Sequence, residues 1–148
     1  MKVSNKGLEI IKKHEGLRLK PYLCPAGIPT IGYGNTYYEN GLKVKLSDVP
    51  ITNQRAEELL IIIVDRFSKG VEKLLTRPVN QNQFDALVSF AYNLGVNALK
   101  TSTLLKRVNA NPCDEDIKYQ FSRWNKANGI VLNGLTKRRK EESDLYFE

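Results

Sequence analysis

The sequence has little of what several protein classes require. Its 148 residues include one histidine, His14, and two cysteines, Cys24 and Cys113. These are too few for a histidine-rich metal site or a disulfide framework, and their spacing fits no metal motif. We therefore predict two reduced thiols, no metal and no cofactor. The longest fully apolar run, residues 59–64, is far too short to span a membrane.

We also predict no targeting segment and no low-complexity tract. The first residues lack the apolar stretch of a secretory signal, so we expect a cytoplasmic protein. With 41% hydrophobic and 26% charged residues, the composition is typical of a globular domain and argues against disorder. We expect one domain over residues 1–148.

The net charge of +7 is the main compositional bias, and residues 137–140, a Lys-Arg-Arg-Lys run, are its densest part. A basic surface attracts polyanions over long range. Nucleic acid, anionic lipid and the bacterial envelope all fit, and so does a solvated basic face without a specific partner. Charge alone does not select among them.

Apolar periodicity and capping residues predict the helices. A first helix over residues 5–14 has Ser4 as its N-cap and Gly16 as its stop. Thr52 precedes a long helical stripe over residues 56–75, which Gly70 can bend. Asn80 and Gln83 form a predicted capping box for the next helix. Shorter helices follow Ser102 and Asp114, the dipeptides at 128–129 and 133–134 predict turns, and a last helix covers residues 135–147.

Residues 17–49 follow a different pattern, because prolines and glycines interrupt them throughout. Short runs of β-type residues at 30–31, 33, 36–38 and 42–44 predict a small antiparallel sheet. The fold class is therefore α+β and mostly helical. We predict a small N-terminal β-containing lobe, about residues 15–50, and a helical lobe, about residues 51–148 plus the N-terminal helix.

Glu15 is the first candidate for chemistry. It lies at the C-terminal end of the first predicted helix, where the helix dipole disfavours a carboxylate, and the neighbours Leu17, Leu19 and Tyr22 can desolvate it. Both effects are expected to raise its pKa and keep it protonated near neutral pH. Glycosidases need such an acid to protonate the leaving oxygen. The alternative is a solvent-facing glutamate paired with Arg18.

The segment around Thr30 is the second candidate. Gly32 and Gly34 beside a β-type turn let the backbone approach a ligand closely. The Thr30 hydroxyl both donates and accepts hydrogen bonds, so it can orient a water molecule. The alternative is an ordinary hairpin.

Taken together, residues 15–36 resemble the active-site region of bacteriophage-type lysozymes, glycoside hydrolase family 24. That family has Glu, then Asp or Cys after eight intervening residues, then Thr after five more, and Glu15, Cys24 and Thr30 match both spacings. Four further segments also look like the family. They are residues 83–95, 102–105, 121–124 and 134–139.

The resemblance implies a lysozyme-like fold with a long connecting helix and hydrolysis of the β-1,4 bond between N-acetylmuramic acid and N-acetylglucosamine in peptidoglycan. It implies that Glu15 is the general acid, that Thr30 holds the attacking water, and that Cys24 activates this water or offsets positive charge. It also implies a monomer that serves bacterial lysis and reaches the cell wall through a separate membrane-permeabilising protein.

Two residues depart from the common form of the family. Cys24 stands where an aspartate is usual, and an ordinary thiol with a pKa of ~8.5 is mostly neutral at pH 7. We expect it to direct water, with covalent attack on the sugar or a purely structural role as alternatives; alkylation of Cys24 should slow cleavage. Asn35 stands where relatives often carry histidine, which should affect stability or pH dependence.

Several residues are candidates for sugar contacts, because aromatic faces and amides suit sugars. They are Tyr22, Tyr33, Phe90 and Asn93. Phe90 fits a core position equally well, and a lone Trp124 is expected in the core. Arg138 and Arg139 are interpreted as solvent-facing members of the basic run, with orientation of Glu15 as the alternative.

Three other functions remain open at this point. A cysteine peptidase would use Cys24 and His14. A nucleic-acid-binding protein would use the basic charge, but no recognition motif is evident, so we predict no nucleic-acid partner. An inactive peptidoglycan-binding relative would keep the fold and lose the chemistry at Cys24.

Overall fold

The computed structural model describes all 148 residues as seven helices and four short strands. The elements are α1 (Asn5–Glu15), β1 (Arg18–Leu23), β2 (Pro29–Gly32), α2 (Asn53–Leu74), α3 (Gln81–Leu94), α4 (Val96–Thr101), α5 (Thr103–Ala110), α6 (Asp116–Ser122), β3 (Lys126–Ala127), β4 (Ile130–Val131) and α7 (Asn133–Tyr146). The predicted α+β class, mostly helical with a small antiparallel sheet, is confirmed. No helix combines the length and the apolarity needed to cross a bilayer.

The chain forms two compact units, Glu15–Arg66 on the one hand, and Met1–His14 with Phe67–Glu148 on the other. The smaller unit therefore extends beyond the boundary predicted near residue 50, because it includes the first part of α2.

The small sheet of the unit Glu15–Arg66 contains a strand that the sequence did not reveal. β1 pairs with β2 in antiparallel fashion, with Tyr22 opposite Thr30 and Arg18 opposite Gly32, and the register shifts between these pairs. Pro21 inside β1 removes a backbone donor, and its residues alternate irregularly between exposed and half-buried. A bulged strand with a proline carries no clean period of two, so it escaped prediction.

The strands predicted at 36–38 and 42–44 are wrong, since these segments meet only in a single bridge between Tyr37 and Lys43. Tyr37 and Leu42 are exposed, so no buried face reinforces a longer ladder. A turn from Tyr38 to Gly41 connects the two segments.

The long helix α2 begins as predicted. The Thr52 hydroxyl accepts a hydrogen bond from the Arg55 amide at 3.0 Å, which caps the helix. The residues that it buries follow the predicted stripe, among them Ala56, Leu59, Leu60, Val64 and Val71. Gly70 serves packing, because a Cβ there would lie 3.1 Å from Val96.

The core of the larger unit surrounds α3, in which residues 83–91 are all buried. The predicted capping box of Asn80 and Gln83 is present at its start. α3 packs mainly against α7. Phe90 contacts the rings of Phe121 and Trp124 edge-on, with centroids 6.0 and 5.4 Å away, and Trp124 is half-buried.

Two predictions at the C-terminal end need correction. α7 begins at Asn133, so the turn predicted at 133–134 is wrong, while Asn128 and Gly129 do form a turn with positive φ angles of 52° and 77°. The interpretation of Arg138 and Arg139 as solvent-facing is wrong, because both are buried. The reason is Glu142, a fully buried carboxylate one turn further along α7 that pairs with both guanidinium groups.

Candidate active site

Glu15, the last residue of α1, lies against a tight turn of the same unit. Ile31 and Asn35 exchange backbone hydrogen bonds of 2.9 Å and enclose this turn. At its tip Gly34 has a φ of +75°, and a Cβ built there would lie 2.9 Å from Glu15 Oε2. The turn therefore needs glycine both for its left-handed backbone and for the approach of the carboxylate.

Asn35 holds the same turn from inside. It is buried, and its Oδ1 accepts a hydrogen bond from the Tyr33 amide at 3.2 Å. A Cβ on Gly32 would come within 3.2 Å of that oxygen. Asn35 thus acts as a neutral clamp on the backbone beside Glu15.

Thr30 and Cys24 meet at the other end of the hairpin. Between the two strands, Cys24 N–H donates to the Ile28 carbonyl at 3.0 Å, and Gly27 N–H donates to the Cys24 carbonyl at 2.8 Å. The buried Thr30 donates its hydroxyl proton to the same Ile28 carbonyl at 2.8 Å. Cys24 is half-buried.

This loop lowers the pKa of the Cys24 thiol. The Ile28 amide is the largest cause, because its N–H donates a hydrogen bond to the sulfur. Desolvation by burial opposes the shift, while the Ala26 amide adds to the lowering. Cys24 is therefore a thiolate at a lower pH than an ordinary cysteine, a property that the sequence pattern did not reveal. The proline and glycine at 25 and 27 were its only sequence signal.

The predicted sugar contacts have different environments. Tyr22 is half-buried and stacks with Arg18, whose guanidinium carbon lies 4.7 Å from the ring centroid, and Tyr33 is buried. Phe90 has 0% exposure, so it belongs to the core and the sugar contact assigned to it is withdrawn. Asn93 is half-buried, and its carbonyl oxygen has no hydrogen-bond partner.

His14, the base of the alternative peptidase, is engaged elsewhere. Its Nε2 lies 2.5 Å from a carboxylate oxygen of Glu141 on α7, and Lys13 contacts the other oxygen of the same carboxylate at 2.6 Å. These groups tie the N-terminal helix to the C-terminal one.

Known proteins resemble this chain over its full length. The family model described as phage lysozyme matches residues 12–142. The endolysin of Bacillus phage B103 is 46% identical over 99% of the chain, which spans only 54% of that protein. The endolysin of Acyrthosiphon pisum secondary endosymbiont phage 1 is 41% identical, with 99% of this chain and 98% of that protein covered.

A solved structure agrees with these sequence relatives. The endolysin from the Escherichia coli O157:H7 phage FAHEc1 superposes with a TM-score of 0.91 at 41% identity, covering 100% of this chain and 94% of that one. The resemblance that the motif around Glu15 indicated is confirmed, together with the lysozyme-like fold and the glycosidase class. The chain belongs to the phage lysozyme family.

Proposed function

We propose that this chain is a muramidase that cleaves the β-1,4 bond between N-acetylmuramic acid and N-acetylglucosamine in peptidoglycan, with Glu15 as the general acid. The placement of the Glu15 carboxylate against the Gly34 turn carries the proposal. That turn continues directly from the strand that bears Thr30, so one short hairpin connects the acid to the hydroxyl and the thiol.

Glu15 hands its proton to the glycosidic oxygen as the bond to the leaving sugar breaks. Its position at the negative end of α1 and its half-buried side chain suit this task. The absence of a side chain on Gly34 leaves the carboxylate in place beside the turn. Transfer of the proton gives the leaving sugar a neutral hydroxyl, and the other sugar develops oxocarbenium character.

Water attacks that second sugar, and Thr30 with Cys24 positions it. Thr30 uses its single proton on the Ile28 carbonyl, so its lone pairs can accept a hydrogen bond from water. The Ile28 and Ala26 amides donate hydrogen bonds to the Cys24 sulfur and favour its negatively charged form. This charge can accept a proton from the water or stabilise the oxocarbenium ion.

Tyr22, Tyr33 and Asn93 are the proposed sugar contacts. The Asn93 carbonyl oxygen has no protein partner, and the N–H of an N-acetyl group is a suitable donor for it. In this proposal the protein is a monomer of the bacterial cytoplasm, is released to the cell wall during lysis, and its basic charge holds it to anionic envelopes.

The test compares Glu15→Gln with Glu9→Gln, an exposed glutamate on the same helix. We expect Glu15→Gln to clear peptidoglycan suspensions about 10²- to 10⁴-fold more slowly, the usual loss on removal of a general acid, and Glu9→Gln to match the wild type. Mass spectra of the wild-type products should show reducing muramic acid ends. Wild-type protein that binds peptidoglycan without releasing fragments would instead identify an inactive relative.

Cys24 has its own test in the stereochemistry and pH dependence of cleavage. If it directs water, the product anomer is inverted, and a retained anomer would reveal covalent attack by sulfur. We expect Cys24→Asp to stay active to lower pH than the wild type, because a carboxylate remains ionised at pH values where the thiolate is protonated. Identical acidic limbs for the two proteins would remove the thiolate from the mechanism, as would unchanged cleavage after complete alkylation of Cys24.

A further inference from the structure

The excess of positive over negative charge in this protein arises from one stretch of the chain. Residues 117–140 contain seven of its 23 basic residues and none of its 16 acidic residues. The other 124 residues therefore hold 16 of each sign and are formally neutral. The net charge of +7 thus belongs to the segment that runs from α6 into α7.

At the centre of this stretch lies a hairpin that the proposed chemistry does not use. β3 pairs with β4, Lys126 opposite Val131 and Ala127 opposite Ile130, around the Asn128–Gly129 turn. All residues from 126 to 134 are exposed, so neither face of this two-stranded ribbon is covered. The base is held, because Leu132 N–H donates to the Asn125 carbonyl at 3.0 Å. An uncovered two-stranded ribbon gains little from packing, so its apolar residues need another explanation.

Three consecutive large apolar residues of this hairpin are exposed on the two faces of the ribbon, and we call them the apolar patch. They are Ile130, Val131 and Leu132, with exposures of 65%, 52% and 43%. A folded protein scatters single exposed apolar residues, but an adjacent set of three on an uncovered ribbon is typical of a contact surface. Exposed basic side chains flank the patch, namely Arg123 at the end of α6, Lys126 on β3 and Lys137 in α7.

We propose that this hairpin docks the protein on a lipid bilayer that contains anionic phospholipids. The flanking cations match phosphate headgroups, and each lysine near such a surface strengthens binding appreciably. The apolar patch selects lipid over a soluble or wall-bound polyanion, which would pair with the cations and leave Ile130, Val131 and Leu132 in water. Short apolar side chains beside lysines are the composition of segments that insert at the interface without spanning the membrane.

The chain carries its own reporter for this docking. Trp124 is the single tryptophan, and it lies two residues before β3. We expect the wild-type protein to co-sediment with vesicles of phosphatidylcholine and phosphatidylglycerol but not with phosphatidylcholine alone. Brominated acyl chains in the anionic vesicles should quench Trp124 fluorescence, and added salt should weaken the binding.

Two pairs of matched variants locate the surface. Lys126→Gln with Lys137→Gln should weaken binding by about fivefold for each lysine, whereas the exposed Lys73→Gln with Lys106→Gln removes equal charge elsewhere and should have a smaller effect. Ile130→Ser with Leu132→Ser should weaken it roughly tenfold or more. Ile61→Ser with Ile62→Ser, on residues 49% and 40% exposed, is the control.

Several outcomes would overturn the proposal. Equal losses in the hairpin variants and their controls would mean diffuse charge attraction. Unchanged vesicle binding by the apolar variant, or equally tight binding of a soluble poly(glycerol phosphate) by wild type and apolar variant, would mean that a polyanion is the ligand. The variants should keep the wild-type circular dichroism and urea midpoint. Because Glu15→Gln retains the hairpin, it should bind vesicles normally, which separates this result from the muramidase test.

Discussion

Replacement of Glu142 by glutamine tests whether a buried ionic cluster holds the larger unit together. Glu142 has 0% exposure, and its two partners Arg138 and Arg139 are nearly as buried. Its Oε2 accepts hydrogen bonds from Ser89 Oγ at 2.5 Å, Arg139 Nη2 at 3.1 Å and Arg138 Nε at 3.3 Å. Its Oε1 lies 2.7 Å from Arg139 Nε.

Either orientation of a glutamine amide at position 142 fails to satisfy these donors. An amide nitrogen in place of Oε2 would face three donors, and in place of Oε1 it would face Arg139 Nε at close range. The two guanidinium groups would also lose their shared negative charge. Breaking a buried ion pair by removing one partner costs about 3–5 kcal/mol. Since small proteins unfold with about 5–15 kcal/mol, a large fraction of the stability should disappear.

Urea unfolding measures this loss directly, provided that the slope of the transition stays unchanged. The control is Glu141→Gln, which removes the neighbouring carboxylate from its half-exposed contacts with Lys13 and His14 and should cost about 1 kcal/mol or less. If Glu142→Gln lost no more than Glu141→Gln, the cluster would contribute no more than a surface ion pair, and the reasoning from burial would be refuted.

Two further changes test the smaller unit. Gly34→Ala places a methyl group 2.9 Å from Glu15 Oε2. The control is Gly41→Ala, which has the same backbone strain of ~1 kcal/mol at a φ of +86° but makes no steric contact. We expect the lytic activity of Gly34→Ala to be at least about tenfold lower than that of Gly41→Ala. Equal activities would contradict this. Arg55 lowers the pKa of Glu39 by hydrogen bonding, so the pair stabilises the fold above the ordinary glutamate pKa of ~4.3 and this contribution disappears as pH falls through the lowered value. Glu39→Gln should therefore unfold more easily than wild type at pH 7 but not in strong acid.

The helices could be predicted because their signals are local. The capping box of Asn80 with Gln83, the Thr52 cap and the stripe of α2 all lie within a few residues of the elements that they define. β1 was missed because its signal is not local: its strand character comes from pairing with β2, and Pro21 breaks the pattern within it.

The burial of Arg138 and Arg139 could not be predicted either, because it depends on residues that are distant in the sequence. A run of four basic residues reads as a solvated face, and nothing adjacent indicates that Arg138 would donate to the Ser89 carbonyl, 49 residues away on α3. Phe90 was ambiguous for a related reason, because an aromatic residue on a helix face lines a cleft or a core according to what packs on it. Only the rings of Phe121 and Trp124 decide the matter.

At Cys24 the sequence predicts the position of the side chain but not the ionisation of its thiol. The motif spacing selects Glu15, Cys24 and Thr30 as the proposed site, but the residue type alone suggests a neutral thiol and hence a weak substitute for aspartate. The loop changes this, since the Ile28 and Ala26 amides donate to the sulfur and favour its negative form. A backbone that solvates an anion relaxes the demand for an intrinsically acidic side chain, so a cysteine can occupy the carboxylate's place in this family provided that its loop supplies the donors. The motif and the turn that follows Cys24 therefore act as one unit, and disruption of the turn should harm a cysteine more than an aspartate at this position.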